Sequence, residues 1–223
     1  DLTIPGSVTE IGNSAFSFCD SMISLTIPES VTSIGDEAFF DCANLETANL
    51  AFGLEYLGSM AFGYCKKLTQ AYIPATVTGI SGNPYMGCTG IQTFTLDEDN
   101  MDFVIKDSIL YDKTMYTILY YPASLTAETF TLPDTVHEIG VGAFAGCQLK
   151  SFEIPTRVTV VSDYAFSGSS LESVTLHKAI SYIGDYAFQN CAALNNVAIP
   201  NSVQYAGNYA FSGCKTLTKM NIP

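Results

Sequence analysis

Apolar residues recur along the chain in one pattern, which is clearest between Met22 and Leu45. Apolar and polar positions alternate up to Leu25 and Ile27, as expected of a half-buried strand. Pro28 follows directly, and proline has no N–H with which to continue a strand ladder. The pattern therefore predicts one short strand per repeat, ended by a proline.

A second apolar pair follows the proline, as in Val31 and Ile34. The next residue is a glycine, here Gly35, which we expect to relieve a tight or left-handed corner. An asparagine or aspartate comes next, placed to cap a short helical turn that carries an Ala-Phe pair. The phenylalanines of successive repeats should stack in one column, which adds about 0.5–1.5 kcal/mol per pair beyond burial. The predicted caps are Asn13, Asp36, Asp163, Asp185 and Asn208, and the predicted column is Phe16, Phe39, Phe62, Tyr85, Phe144, Phe166, Phe188 and Phe211.

The cysteines mark the length of the repeat, because Cys19, Cys42, Cys65 and Cys88 are spaced by 23 residues. This period lies inside the roughly 20–29 residues of leucine-rich repeats. It predicts an α/β repeat solenoid, a right-handed coil of about ten short parallel strands with few short helical turns. The seven cysteines are an odd number, and Ser169 replaces one of the series, so we interpret them as buried free thiols.

One repeat departs from the pattern, between the strand ending at Leu96 and the strand ending at Leu132. Its 36 positions replace the usual 23, and the Ala-Phe-x-x-Cys half is missing. Alternating residues at 109–111 and 116–121 predict a β-hairpin insert around a turn at 112–114. The expected organisation is one solenoid domain at 1–223, with regular coils at 1–96, the hairpin-bearing coil at 97–132 and further coils at 133–223.

The net charge of −13, from 22 acidic and 9 basic residues, disfavours nucleic acid as a partner. No run reaches the roughly 18–20 apolar residues of a membrane span, and no signal peptide is recognisable at the start. Both termini match the middle of the repeat, whereas solenoids need polar caps. We therefore expect a fragment or trimmed form of a longer protein, without membrane insertion in this part.

The string L-x-x-V-x-I-P-x-S-V-x-x-I-G-x-x-A-F-x-x-C, carried here by residues 171–176 and 27–42, resembles the BspA-type leucine-rich repeat. Residues 100–136 resemble the hairpin-bearing insert common in that family. The resemblance covers essentially the whole chain. It implies a secreted or cell-surface protein of anaerobic bacteria or protozoan parasites, used in adhesion or host contact, and it transfers no catalytic residue.

The residues show no catalytic or metal-binding constellation. His137 and His177 occupy different points of the repeat, and neither has a second histidine or a cysteine nucleophile at a useful interval. Glu153 is the only acid on its part of the strand face, whereas a glycosidase needs two facing carboxylates. The acidic run at 97–102 lacks the glycine and distant glutamate of an EF-hand, so a solvated turn is favoured and calcium stays open. We expect no enzyme activity, no metal and no cofactor.

Two surfaces remain as candidate binding sites. One is the outward face of the strands, which is the usual binding surface of horseshoe repeats. The other is the hairpin, because function tends to concentrate in loops that interrupt a scaffold. The tyrosine rows at 164, 186, 209, 182 and 205 are interpreted as structural stacks. The candidate ligand-binding residues are Tyr72, Thr95, Thr131 and Glu153 on the strands and Tyr111, Tyr116, Tyr120 and Tyr121 on the hairpin.

The predicted function is a non-catalytic binding or adhesion module that presents this solenoid face to a protein or glycan of a host or neighbouring cell. Two alternatives stay open. One is a structural spacer within a larger surface protein, and the other is a polysaccharide-processing solenoid enzyme.

Overall fold

The computed structural model describes residues 2–221, which fall into two compact units at 1–113 and 114–223. Within each unit, coils stack through short parallel strands, as predicted. No helix occurs among the described residues, and therefore none that is long and apolar enough to cross a membrane. The prediction of a single domain with boundaries at 96 and 132 stays a prediction.

The N-terminal unit, 1–113, takes two strands from each coil and stacks them in parallel, the shorter strands in one ladder of four and the longer strands in a ladder of three and a ladder of two. Leu2 pairs with Leu25, and Leu25 pairs with Ala48, so the register advances by one 23-residue period per coil. The longer strands are β1 (Leu2–Thr3), β3 (Ser24–Ile27), β5 (Thr47–Leu50), β7 (Gln70–Ile73) and β9 (Thr93–Leu96), and the shorter ones are β2 (Glu10–Ile11), β4 (Ser33–Ile34), β6 (Tyr56–Leu57) and β8 (Gly79–Ile80).

The same unit ends in an antiparallel hairpin of β10 (Phe103–Lys106) and β11 (Ile109–Asp112). Asp107 and Ser108 form its turn and have positive φ angles of 52° and 66°. The predicted insert is therefore observed, and the antiparallel partner of the 109–111 segment within this unit is the strand that precedes it.

The C-terminal unit, 114–223, likewise stacks two strands per coil in parallel ladders. Its first strand covers most of the predicted arm at 116–121 and pairs in parallel with the next strand. The strands are β12 (Thr117–Tyr120), β13 (Glu138–Ile139), β14 (Ser151–Glu153), β15 (Val160–Val161), β16 (Ser173–Thr175), β17 (Tyr182–Ile183), β18 (Asn196–Ala198), β19 (Tyr205–Ala206) and β20 (Lys219–Asn221).

The aromatic column is confirmed in both units. Phe39 lies 5.3 Å from Phe16 and 5.2 Å from Phe62, with rings nearly parallel. In the C-terminal unit, Tyr121 begins the column 5.3 Å from Phe144. Tyr120 and Tyr121 thus take the places of the Ala-Phe pair that the sequence had suggested was missing.

The predicted helical turn is replaced by two residues with positive φ placed four positions apart, for example Glu37 at 57° and Asp41 at 51°. Between them the direction of the N–H groups alternates. The N–H groups of Glu37, Phe39 and Asp41 donate to carbonyls of the next coil at 2.9, 2.7 and 2.7 Å. A helical turn would direct these donors along itself and leave the next coil unpaired. The inter-coil bonds offset a left-handed conformation that costs about 1–2 kcal/mol per residue.

The predicted cap residues consequently bond to the next coil. Asn13 Oδ1 accepts from the N–H of Asp36 at 2.9 Å, and Asp163 Oδ1 accepts from the N–H of Asp185 at 2.8 Å. Gly35 lies beside this column, with no positive φ, and a Cβ there would stand 2.3 Å from Asn13 Oδ1. The glycine therefore serves close packing between coils, not a left-handed corner.

Candidate functional site

Three of the four hairpin tyrosines are in the core. Tyr111, Tyr120 and Tyr121 are only 2%, 3% and 1% exposed, so their rings are not at the surface. Tyr121 belongs to the aromatic column, which its position one period before Phe144 could have revealed. Tyr116 is 50% exposed and is the member of this group that a ligand can reach.

On the strand face of the N-terminal unit, Tyr72 and Thr95 are neighbours in the pairing of β7 with β9. The Tyr72 hydroxyl donates to the Asp97 carboxylate. Burial, together with this bond, raises the pKa of Tyr72 to about 12, and the same bond lowers the pKa of Asp97. The hydroxyl is thus committed to an internal contact.

The acidic turn at 97–102 is organised by Asn100, which is buried. Its Oδ1 accepts from the N–H groups of Asp102 and Phe103 at 3.0 Å each, and its Nδ2 donates to the carbonyls of Pro74 and Val77 at 2.9 and 3.0 Å. Across residues 2–221, no group of three or more His, Cys, Asp or Glu side chains is arranged to hold a metal ion. Internal hydrogen bonds account for the shape of this turn.

Thr131 and Glu153 come together at a groove of about 240 Å³ in the C-terminal unit, which we call the strand-side groove. Both side chains are exposed. Asp134 and Arg157 complete its polar lining. This groove thus joins two predicted site residues, from two consecutive coils, with two that were not predicted.

Arg157 holds these two coils together. Its Nε donates to the carbonyl of Val136 at 2.7 Å, and its Nη2 donates to the carbonyls of Leu132 and Pro133 at 3.0 and 2.8 Å. Nη1 lies 3.7 Å from the exposed carboxylate of Asp134. The planar guanidinium supplies several fixed donors at once, so one side chain satisfies three main-chain carbonyls.

Tyr116 and His137 form one side of a second groove, of about 210 Å³, which we call the aromatic groove. Their rings are parallel within 6° and their centroids lie 5.0 Å apart. His137 Nδ1 lies 2.9 Å from the carbonyl of Thr135, which can only accept, so this nitrogen carries the hydrogen. The remaining lining residues are Glu138, Thr159, Val160 and Ser162.

Both grooves lie along one junction, between the coil that carries β13 and the coil that carries β15. Here the short-strand ladder is interrupted, because β13 pairs with β12, β15 pairs with β17, and β13 and β15 belong to different sheets. We call this place the open junction.

The interruption coincides with a serine at the closest contact between the two coils. At other junctions of this unit a glycine N–H donates to the preceding coil, as from Gly184 to Val161 and from Gly207 to Ile183, both at 2.8 Å. Ser162 occupies the equivalent position. A Cβ on Gly184 would lie 2.4–2.7 Å from atoms of the preceding coil, so a side chain at this position strains the closest contact between coils. Ser81 has the same position in the N-terminal unit, where its N–H still donates to the carbonyl of Leu57, at the longer distance of 3.3 Å. At Ser162 that N–H bond is absent, and Oγ donates to the carbonyl of Ile139 at 2.6 Å in its place.

The cysteines and tyrosine rows are structural. Cys42 and Cys65 each donate from Sγ to the carbonyl of a phenylalanine in the preceding coil, at 3.2 Å, and burial raises the pKa of Cys147 to about 11. All seven cysteines are free thiols, five of them buried. The centroids of Tyr164 and Tyr186 lie 4.7 Å apart in a parallel stack.

The sequence prediction missed His137, Arg157 and Ser162 as parts of the site. A signal existed for Ser162, which, like Ser81, stands where most coils have the glycine of the Ile-Gly pair. No local signal marks Arg157, because its role depends on carbonyls 21–25 residues away.

The chain is similar to several bacterial proteins. A model of the BspA type leucine-rich repeat region matches residues 1–117 and 114–223, in six copies. A leucine-rich cell surface protein from Faecalibacterium prausnitzii A2-165 has a TM-score of 0.81 and 29% identity, over 97% of this chain and 64% of that one. A leucine-rich repeat protein from Eubacterium ventriosum ATCC 27560 has a TM-score of 0.76 and 27% identity, over 95% and 63%.

The pneumococcal vaccine antigen PcpA has a TM-score of 0.81 at 23% identity, over 96% of this chain and 53% of that one, which shows a shared fold. The chain therefore spans less than two thirds of the length of these solved relatives. No curated protein matches it in sequence. On the family match over both units, the chain belongs to the BspA-type leucine-rich repeat family.

Proposed function

We propose that this chain is a non-catalytic binding or adhesion module that acts outside the cell or at its surface, and that the open junction is its main contact site. The observation that carries the proposal is that Thr131, Glu153 and Tyr116 all line grooves at this one junction. The cell-surface protein from Faecalibacterium supports the location. Tyr72 and Thr95 stay as proposed secondary contacts on the strand face of the N-terminal unit.

The chemistry of the open junction favours binding over catalysis. Arg157 is committed to three carbonyls, and Ser162 donates to Ile139, so neither is free to act on a substrate. Asp134 and Glu153 line the strand-side groove, but both are exposed to water. A glycosidase keeps its acid in a site that excludes water. Enzyme activity is accordingly no part of the proposal.

The proposed partners are proteins or glycans of a host or neighbouring cell, and the negative charge of the chain disfavours polyanionic ones. The N-terminal unit carries 15 acidic and 4 basic residues, against 7 and 5 in the C-terminal unit. Such a field repels polyanions such as nucleic acids. The open junction lies in the less charged unit, and an uncharged partner is not repelled by the net negative charge.

Arrays of purified extracellular-matrix proteins and of defined oligosaccharides test the proposal. We expect the protein to bind at least one component, and Tyr116→Ser and Glu153→Gln to weaken that binding at least about tenfold, or about 1.4 kcal/mol. Phe52→Ser is the matched control, because Phe52 is an exposed aromatic residue of the other unit. Binding to nothing would favour the spacer, and release of product from a polysaccharide would favour the enzyme.

A further inference from the structure

We propose that the aromatic groove binds one sugar ring of a neutral glycan. This inference rests on the proposed function and specifies it, since it names the ligand class and the subsite.

The groove lies where a column of stacked rings ends at His137. Tyr116 covers one face of the His137 imidazole. In the repeat, Val136-His137 corresponds to Val158-Thr159, so the next position of this column is a threonine, whose side chain is too small to continue the stack. Thr159 and Val160 line the space beyond the imidazole. The second face of His137 is thereby left for a flat partner, and the apolar C–H face of a pyranose ring suits it.

The polar groups beside that face match sugar hydroxyls. Glu138 is exposed, and no cation pairs with it among the described residues. Its carboxylate can only accept hydrogen bonds, and the Thr159 hydroxyl can donate or accept. His137 Nδ1 is committed to Thr135, which fixes the ring and leaves Nε2 as a further polar atom. An unpaired carboxylate in the groove disfavours sialylated or sulfated sugars and favours neutral ones.

The small size of the groove and the side-chain bonds to its nearby carbonyls disfavour an extended peptide. Its volume of about 210 Å³ is below the ~300–1,000 Å³ of pockets for drug-sized ligands, so it admits a single ring. A peptide that adds a strand needs free main-chain acceptors. At this junction Ser162 occupies the carbonyl of Ile139, and Arg157 occupies that of Val136. A ligand held by side chains fits better than one held by main-chain pairing.

The test uses methyl glycosides of glucose, galactose, mannose and N-acetylglucosamine as probes, followed by saturation-transfer NMR. We expect at least one to bind, with its ring C–H protons closest to the protein, at a Kd of about 1 mM. Thr159→Tyr extends the Tyr116–His137 stack, fills the groove and removes the Thr159 hydroxyl, so it should weaken binding at least tenfold. Gln204→Tyr adds the same ring to the same column two coils further on and should leave binding unchanged. If Thr159→Tyr does not fold, Tyr116→Ala, which removes the support of the imidazole, should give the same loss.

The outcomes separate this inference from the proposed function. Wild-type protein that binds a matrix protein on the array but none of the four glycosides would overturn the sugar site and leave the adhesion module standing. Equal binding by Thr159→Tyr and Gln204→Tyr would place the sugar elsewhere and overturn the subsite. Tighter binding of 3′-sialyllactose than of lactose would contradict a neutral ligand. Binding of neither protein nor glycan would overturn both proposals.

Discussion

The junction between β4 and β6 in the N-terminal unit is closed, whereas the junction between β13 and β15 in the C-terminal unit is open, although both come from the same repeat. At the first, the Gly58 N–H donates to the carbonyl of Ile34 at 2.8 Å, and a Cβ on Gly58 would lie 2.4 Å from the carbonyl carbon of Gly35. At the second, Ser162 takes the glycine position and bonds through its side chain. A serine in the closest contact of the repeat thus weakens the main-chain bond, which is 3.3 Å long at Ser81 and is replaced by a side-chain bond at Ser162.

The largest expected effect concerns the side chain that holds the open junction together. Arg157→Leu leaves three carbonyls without their charged donor, and we expect the free energy of unfolding to fall by about 3 kcal/mol. Arg157→Lys should recover less than half, because a single ammonium cannot reproduce the planar donors. Denaturant unfolding measures both.

Lys150→Met provides the control, since Lys150 forms only an exposed pair with Glu172 at 3.4 Å and should cost less than about 0.5 kcal/mol. If Arg157→Leu costs no more than Lys150→Met, Arg157 does not hold the junction.

A serine placed at a glycine of a closed junction should strain that junction, at a smaller cost than the loss of Arg157. Gly184→Ser introduces a Cβ at 2.4–2.7 Å from Asp163 and Ser162, and we expect a loss of about 2 kcal/mol in unfolding free energy. Gly12→Ser is the matched control, because a Cβ at Gly12 meets nothing within 4 Å, and it should change stability by less than about 0.5 kcal/mol. Equal effects of the two substitutions would contradict the steric account of the open junction.

The parts of the fold that follow from local chemistry were predictable. The 23-residue period, the strands, the proline corners and the aromatic column all repeat in the sequence and are observed. The left-handed residues at Glu37 and Asp41 were not predictable in the same way, because their conformation opposes local preference and is maintained by bonds to the next coil. Local capping rules accordingly predicted a helical turn, and no such turn occurs in the described residues.

The candidate site was predictable only in part, for a related reason. Thr131, Glu153 and Tyr116 were identified as exposed polar or aromatic residues, but nothing local showed that they share one junction. The buried positions of Tyr111 and Tyr120 depend on packing across the fold. The sequence shows the serine at position 162, but its effect on the junction depends on the distance between coils, which the sequence does not show.

The smallest expected effect concerns Asp185, whose carboxylate bonds to the next coil of the C-terminal unit. Hydrogen bonds from the side chain and the backbone N–H of Asn208, and then from the Tyr205 hydroxyl, lower the pKa of Asp185 from its usual 3.8. Because the folded-state pKa is the lower one, the stabilisation is present above pH 3.8 and is lost as the pH falls through the folded value.

Unfolding midpoints measured at about pH 6 and about pH 3 should therefore differ more for wild type than for Asp185→Asn, which has no carboxylate to protonate. An identical pH dependence in the two proteins would show that the Asp185 bonds contribute no measurable stability.

Amide hydrogen exchange at Ser162, compared with Gly184 and Gly207 in the same protein, tests most directly whether the junction is open. In the described part of the chain the Ser162 N–H has no carbonyl partner in the preceding coil, whereas the two glycine N–H groups do. We predict that Ser162 exchanges at least ~100-fold faster than either glycine, and that Ser162→Gly slows exchange at position 162 toward their rate. Equal protection of all three amides in the wild-type protein would contradict the account.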